Sequence, residues 1–481
     1  MRRTRLLICL LASFLLLTCN LSQFNLFEFD LGSSNTEGLI LYQTLDDGED
    51  ELVVRPMVVD PGGGEPRSIT LPDPISGGSF IPTESGRRVW LFVPGRQLYL
   101  IDVRQRTARE LDLPEAVQSE VVPNAAQFRF SGGGERWTLI GNPMATMAYL
   151  VNLETGDAHD LTTINDEIAH IVYATFTSDE EHILINTGNL WLVPTANPSN
   201  ARRLGGDEPA SGGSFSSDGR LVAYVVRATT GGWVVVVERI GGSESLVVAS
   251  GERFYSAEFV PGQNQLVLVE EDRVVLLSLD SGAEQELLTY AGRPQRPWFA
   301  PDGHTLLFGY ESTEGATWHL ADLGQGTHRP LDSLTGYHPL RNDRDHSWLI
   351  WTGSFEVGGG RQFLSLDLRS GETRQLLRVD EDTRHSRLAG FSADGQFGLL
   401  QVMPGDGDMQ LWLLQLDSGE SRLLAEARLV SGALSPDGRW VAVGTLERTD
   451  EESETHLALI ETEGEETRSL GEGFSPVWVQ P

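Results

Sequence analysis

The sequence predicts an all-β fold, a β-propeller of four-stranded blades closed by its C-terminal strand. Three observations predict it. A station of the form F-x-x-D-G recurs as FSSDG (215–219), FAPDG (299–303), FSADG (391–395) and LSPDG (434–438). Stations follow one another at roughly 40–50 residues, the range of propeller blades. The last apolar run, PVWVQP (476–481), ends where another Asp-Gly would stand.

Each element of the repeat has a physical reason. Asp-Gly makes a tight hairpin, because Gly accepts positive φ and Asp bonds its own backbone. Weaker copies keep the same register: FIPTESG (80–86), FRFSGGGE (128–135), FTSDE (176–180) and FVPGQ (259–263). An apolar run follows each station, such as LVAYVV (221–226) or WVAVG (440–444). A second run ends in a polar turn, as in VVLLSLDSG (274–282), FLSLDLRSG (363–371) and LWLLQLDSG (411–419). A third, EQELLT (284–289), TRQLLR (373–378) or SRLLAE (421–426), closes the unit. With the strand entering the station, the repeat has four strands, and such a unit must stack on neighbours to bury its faces.

The first repeat begins at GLILYQ (38–43), after the place of an inner strand, so the C-terminal run supplies the strand that is missing. Counting a degenerate station at LRNDRD (340–345), about ten blade equivalents are expected, above the usual 4–8. One large closed ring joins the missing strand to the orphan strand. Two smaller rings also satisfy the count.

Residues 1–19 read as a targeting segment with a cationic start, MRRTR, and an apolar run, LLICLLASFLLLT (6–18). Cys19 follows LLT in a pattern that resembles a bacterial lipobox, which implies cleavage before a lipidated Cys19. Residues 20–36 are then a tether and 37–481 the propeller. Cys9 and Cys19 are the only cysteines, so the body has neither a disulfide framework nor a thiol nucleophile. The net charge of −33, or −36 without Arg2, Arg3 and Arg5, argues against nucleic acid and against electrostatic adhesion to anionic lipid. All 36 basic residues are arginine.

The stations, best FAPDG, LSPDG and FSSDG, resemble those of the TolB-like propeller family of bacterial envelope proteins. The resemblance covers 37–481 and implies an envelope propeller that binds a protein, peptide or glycan. The α/β domain that precedes the TolB propeller has no counterpart here. Related propellers are fused to hydrolase domains in prolyl-oligopeptidase-like peptidases, but the chain has no G-x-S-x-G elbow. Ser214 lies at a blade turn and reads as structural.

Other chemistry is sparse. No H-E-x-x-H motif is present. His319, His328, His338 and His346 form the densest histidine group, and three converging on a metal would suit a propeller lyase. DDGEDE (46–51) and DGD (406–408) offer hard oxygens for calcium without the spacing of a calcium loop. No cofactor is expected. The crossing segments before the stations gather at one mouth of the channel, and there the sequence carries Arg253, Arg293, Arg296, His338, Arg341, Arg384, His385, Arg387 and Arg428. Trp298 and Tyr337 accompany them, as do Tyr255 and Tyr290. Such a mouth suits an anionic ligand through fork-like arginine contacts, with rings for stacking. The expected function is thus a non-catalytic, lipid-anchored envelope module that binds a protein, peptide or polysaccharide. The alternative is a propeller enzyme, a metal-dependent polysaccharide lyase or a glycoside hydrolase.

Overall fold

A computed structural model describes residues 38–479, apart from 48–51, 63, 73–74, 76–77, 83–87, 94–96, 112–127, 131–135, 143–146, 165–167, 169–170, 243, 301, 314, 336, 343–347, 355–360, 380–382, 393, 406 and 449–452. Cys19 and the tether lie outside the described residues, as do most of the 46–51 turn and residue 406 of the DGD turn.

Among the described residues the strands form ten antiparallel sheets, each an up-and-down meander. Blade 1 comprises Leu39–Asp47, Leu52–Val59 and Arg67–Ser68, with Phe474–Val479 as its inner strand. Leu39 faces Val479, Ile40 faces Trp478 and Leu41 faces Val477, so the C-terminal run fills the vacant inner position. Blades 2, 3 and 4 begin at Ser79–Pro82, Phe128–Phe130 and Tyr173–Phe176. Blades 5, 6 and 7 begin at Ala210–Phe215, Phe254–Phe259 and Arg293–Pro294. Blades 8, 9 and 10 begin at His338–Asn342, Thr383–Phe391 and Leu429–Leu434. Blade 7 alone has a split inner strand, resumed at Trp298–Phe299.

The middle strands are apolar on both faces because each blade is covered on both sides. Leu266, Val267, Leu268 and Val269 are all at most 1% exposed. Every seam also carries a polar stitch. Thr70 bonds Arg106 and Ala108 between blades 1 and 2, and Arg109 donates to Leu153 O and Glu154 O between blades 2 and 3, both at 2.9 Å. The Arg136 N–H donates to Glu180, the Gly213 N–H to the Tyr173 hydroxyl, and the Phe259 N–H to Ser214 Oγ. Gln263 reaches Gly303 O, Arg329 reaches Ser370 O, and Ser365 reaches Leu416 O. Arg422 spans Gly464 O and Thr462 O at 2.7 and 3.1 Å between blades 9 and 10. Finally the Trp478 indole donates to Ala433 O at 2.8 Å, returning to blade 1. Ten seams in succession with one closure make a single ring of ten blades, which resolves the choice between one ring and two.

The stations are built alike. In blades 4, 5, 9 and 10 the hydroxyl of Thr177, Ser216, Ser392 or Ser435 donates to the Asp two residues on, at 2.6–2.7 Å. The same oxygen accepts the N–H five residues on, at 2.9–3.0 Å. Ser216, with the Arg220 N–H, holds the Asp218 carboxyl below its usual range. In blade 7 the position is Ala300, and only the Asp302 contact to the His304 N–H remains.

Consecutive leucines in the outermost strands have a separate cause. The pairing of the third and fourth strands skips one residue in five blades: Val248, Leu287, Leu376, Leu424 and Leu470. A bulge lets two neighbours face the same way. Leu287 and Leu288 are accordingly both buried, as are Leu376 and Leu377.

Candidate functional site

Because every inner strand runs in the same sense through its meander, the N-terminal ends of all ten lie on one rim of the channel. The segments crossing from one blade to the next arrive at that rim, and the Asp-Gly stations lie at the other. The rim is uneven in charge. The crossing into blade 5 carries Asp207 and Glu208, while the entries of blades 6, 7, 9 and 10 carry arginine and that of blade 8 carries none.

Four of the expected arginines are exposed, and three of them stand at the rim without a paired carboxylate among the described residues: Arg253 before the blade 6 strand, Arg293 opening blade 7, and Arg428 before blade 10. The Arg253 guanidinium stands 4.7 Å from the centroid of the Tyr255 ring, a cation–π contact. Arg293 faces Glu311 in the ladder, and the residue before it must be glycine. At Gly292, with φ +151°, a side chain would meet Glu311 O at 2.1 Å.

The other expected residues are placed differently. Arg296 turns into the wall, where Nε and Nη2 meet Glu258 Oε1 and Oε2 at 3.2 and 3.3 Å. Its guanidinium also lies 5.8 Å from the Tyr173 ring of blade 4. Trp298 packs in the seam between blades 7 and 8, 6.1 Å from Trp318. Tyr337 joins the same cluster, donating its hydroxyl to Gln362 Oε1 at 2.8 Å and accepting the Trp318 indole N–H on its carbonyl at 3.1 Å. His385 is half-buried with Nε2 unpartnered, and burial, then Arg387 and Arg361, push its pKa down to about 4. His385 is therefore neutral at physiological pH. Arg387 lies half-buried beside it. His338 and Arg384 open or enter their inner strands, whereas Arg341 is the fourth of the five residues of His338–Asn342, at the station end and away from the crossing rim where it was expected; the side chains of all three lie outside the described residues.

Sequence reasoning missed Tyr173 and Glu258, which with Arg296 draw blades 4, 6 and 7 together at the channel wall. Burial raises the pKa of the Tyr173 phenol. Nothing distinguishes Glu258 among 69 acidic residues, and Tyr173 meets Arg296 only through the ring's curvature. His319 and His328 do come together, with ring centroids 5.5 Å apart, in the seam between blades 6 and 7. Among the described residues no group of three or more His, Cys, Asp and Glu could hold a metal ion. Ser214 Oγ is spent between Ala257 O and the Phe259 N–H, a stitch between blades.

No family model matches the chain, and no curated protein matches it. Among solved structures it is similar to an oligogalacturonate lyase from Vibrio parahaemolyticus, at 13% identity and a TM-score of 0.39, covering 60% of this chain and 88% of that one. An oligogalacturonate lyase in complex with manganese gives 14% identity and a TM-score of 0.42 over 71% and 99% of the two chains. TolB from Acinetobacter baumannii gives 14% and 0.28 over 84% and 82%. Likenesses at these identities and TM-scores say nothing about ligand or activity, and the ten-bladed ring rests on its own strand order. Among the described residues no helix is long and apolar enough to cross a membrane.

Proposed function

We propose that this protein is a non-catalytic binding module of the bacterial cell envelope, exported, anchored through lipid on Cys19, and akin to TolB-like propellers. Its ligand is an anionic group carried by an envelope protein, peptide or polysaccharide, held at the arginine-bearing half of the rim. One observation carries the reading. Arg253, Arg293 and Arg428 are exposed on one rim, and among the described residues no hydrogen bond or ion pair with a side chain occupies any of them.

A guanidinium fork suits carboxylate and phosphate, and an acidic body around a cationic arc focuses anions there rather than elsewhere. Tyr255 beneath Arg253 adds a face on which a sugar or peptide ring can stack. The test is titration with two anionic probes, a poly-glutamate peptide and a uronic acid oligomer, against the full chain and an Arg253→Gln/Arg293→Gln/Arg428→Gln variant. The reading requires saturable binding of at least one probe, weakened about 100-fold in the triple variant and falling with salt. Binding that is equal in the two proteins would refute it. Incorporation of labelled palmitate, lost in Cys19→Ser, tests the anchor separately.

A further inference from the structure

An outermost strand presents unpaired backbone groups, and proteins protect such edges with charge. Nine of the ten outer strands here carry at least one Arg, Asp or Glu. The exception is Ser245–Gly251 of blade 5, SLVVASG, which has none. It also holds Leu246 and Val247, which are 64% and 57% exposed and adjacent.

The shared bulge gives the position of Leu246 a meaning. Two residues before the skipped residue, blades 8, 9 and 10 place Arg374, Arg422 and Arg468. Arg374 is held by Glu372 at 2.9 Å, Arg422 grips the turn of the next blade, and Arg468 bonds Glu466 and covers Trp440 at 4.6 Å. Blade 6 has Gln285 at this position, and blade 5 has a leucine that stays 64% exposed, forgoing a tether without gaining burial. Leu246 and Val247 thus form an exposed apolar pair on an edge strand that has no charge of its own.

We infer that the outer strand of blade 5 receives an extended segment of another protein as an added antiparallel strand, apolar at its centre and basic at both ends. The ends follow from charge. Glu244 and Glu252 bracket the strand, both exposed, and Glu284 and Glu286 stand exposed on the outer strand of the next blade. Arg239 and Arg253, adjoining in sequence, belong to the third strand and to the entry of blade 6, inward of this edge. A second copy of this chain does not fit. Antiparallel self-pairing centred on Val248 sets Glu244 opposite the other copy's Glu252 at both ends, and two bodies of charge −33 repel.

The experiment is fluorescence anisotropy on the full chain with a labelled nine-residue peptide, Val and Thr alternating between terminal arginines. Saturable binding is expected, weakened about tenfold or more by Leu246→Lys/Val247→Lys and unchanged by Leu423→Lys on the charged blade 9 edge. The same peptide with a central proline, or with terminal glutamates, is expected to bind at least about tenfold more weakly. The inference is overturned by absence of saturable binding, or by equal binding to the double variant. It is overturned equally by a wild-type dimer in sedimentation that the double variant converts to monomer.

Discussion

Arg296 Nε stands 3.2 Å from Glu258 Oε1, so a guanidinium of blade 7 neutralises a carboxylate whose side chain blade 6 leaves only 9% exposed. The arginine itself is half in water, with 49% of its side chain exposed. The pair thus seals a seam from the channel side while keeping one member at the mouth.

Removing one partner should cost more than removing both, because the carboxylate is then buried without a counter-charge. Arg296→Met is expected to lower stability by about 2 kcal/mol, and Arg296→Met/Glu258→Gln to recover part of that loss. Urea melts of the two variants and of Glu258→Gln give the coupling.

Blade 7 lacks the station hydroxyl that four other blades use. Ala300 is buried at the position of Ser392 and Ser435. Ala300→Ser should place an oxygen between Asp302 and the Thr305 N–H and stabilise the protein by about 0.5–1 kcal/mol. Ser435→Ala should do the reverse by a similar amount. Thermal melts of the pair against wild type check both signs.

Truncation after residue 472 removes the inner strand of blade 1 and bares the edge of Leu39–Asp47. The expected product self-associates and is cut by protease in blades 1 and 10 at least about tenfold faster than the intact chain. Size-exclusion chromatography and timed proteolysis distinguish this from a shorter but intact ring.

His385 gives a pH dependence whose sign is fixed. Its folded pKa of about 4 lies below the ordinary 6.5. Above 6.5 it contributes no pH dependence. As pH falls toward 4 the unfolded chain takes up a proton that the folded one does not, and stability is lost. Allowing for its partial exposure, the loss is on the order of 1–2 kcal/mol. Melts at pH 7 and pH 4.5 should show wild type losing that much more than His385→Gln.

The ring was largely legible because the clearest stations, FSSDG, FSADG and LSPDG, combine hydroxyl, Asp and Gly in one short window, and the strand deficit at one end matched the surplus at the other. The bulge was not, since a Leu-Leu pair in EQELLT or TRQLLR reads as an ordinary apolar run. At the mouth, the arginines were visible as residues but not as partners. Arg296 looked as free as Arg253 because Glu258 precedes it by most of a blade, in a chain where acids are everywhere. Trp298 and Tyr337 looked like exposed rings in crossing segments, whereas Trp318 on the neighbouring strand gathers both into a seam. Such contacts depend on blade stacking, which no local window contains.

The pairing of Leu39–Asp47 with Phe474–Val479 also sets a schedule for biosynthesis. At about 5–20 residues per second, the about 430 residues between these partners take on the order of 20–90 s to emerge. For that interval the first blade has three strands and an open flank, and no blade made later can relieve it. The nascent chain therefore keeps an unpaired strand edge at its N-terminal blade until Phe474–Val479 is made, and completion is a single late event that converts an arc into a circle.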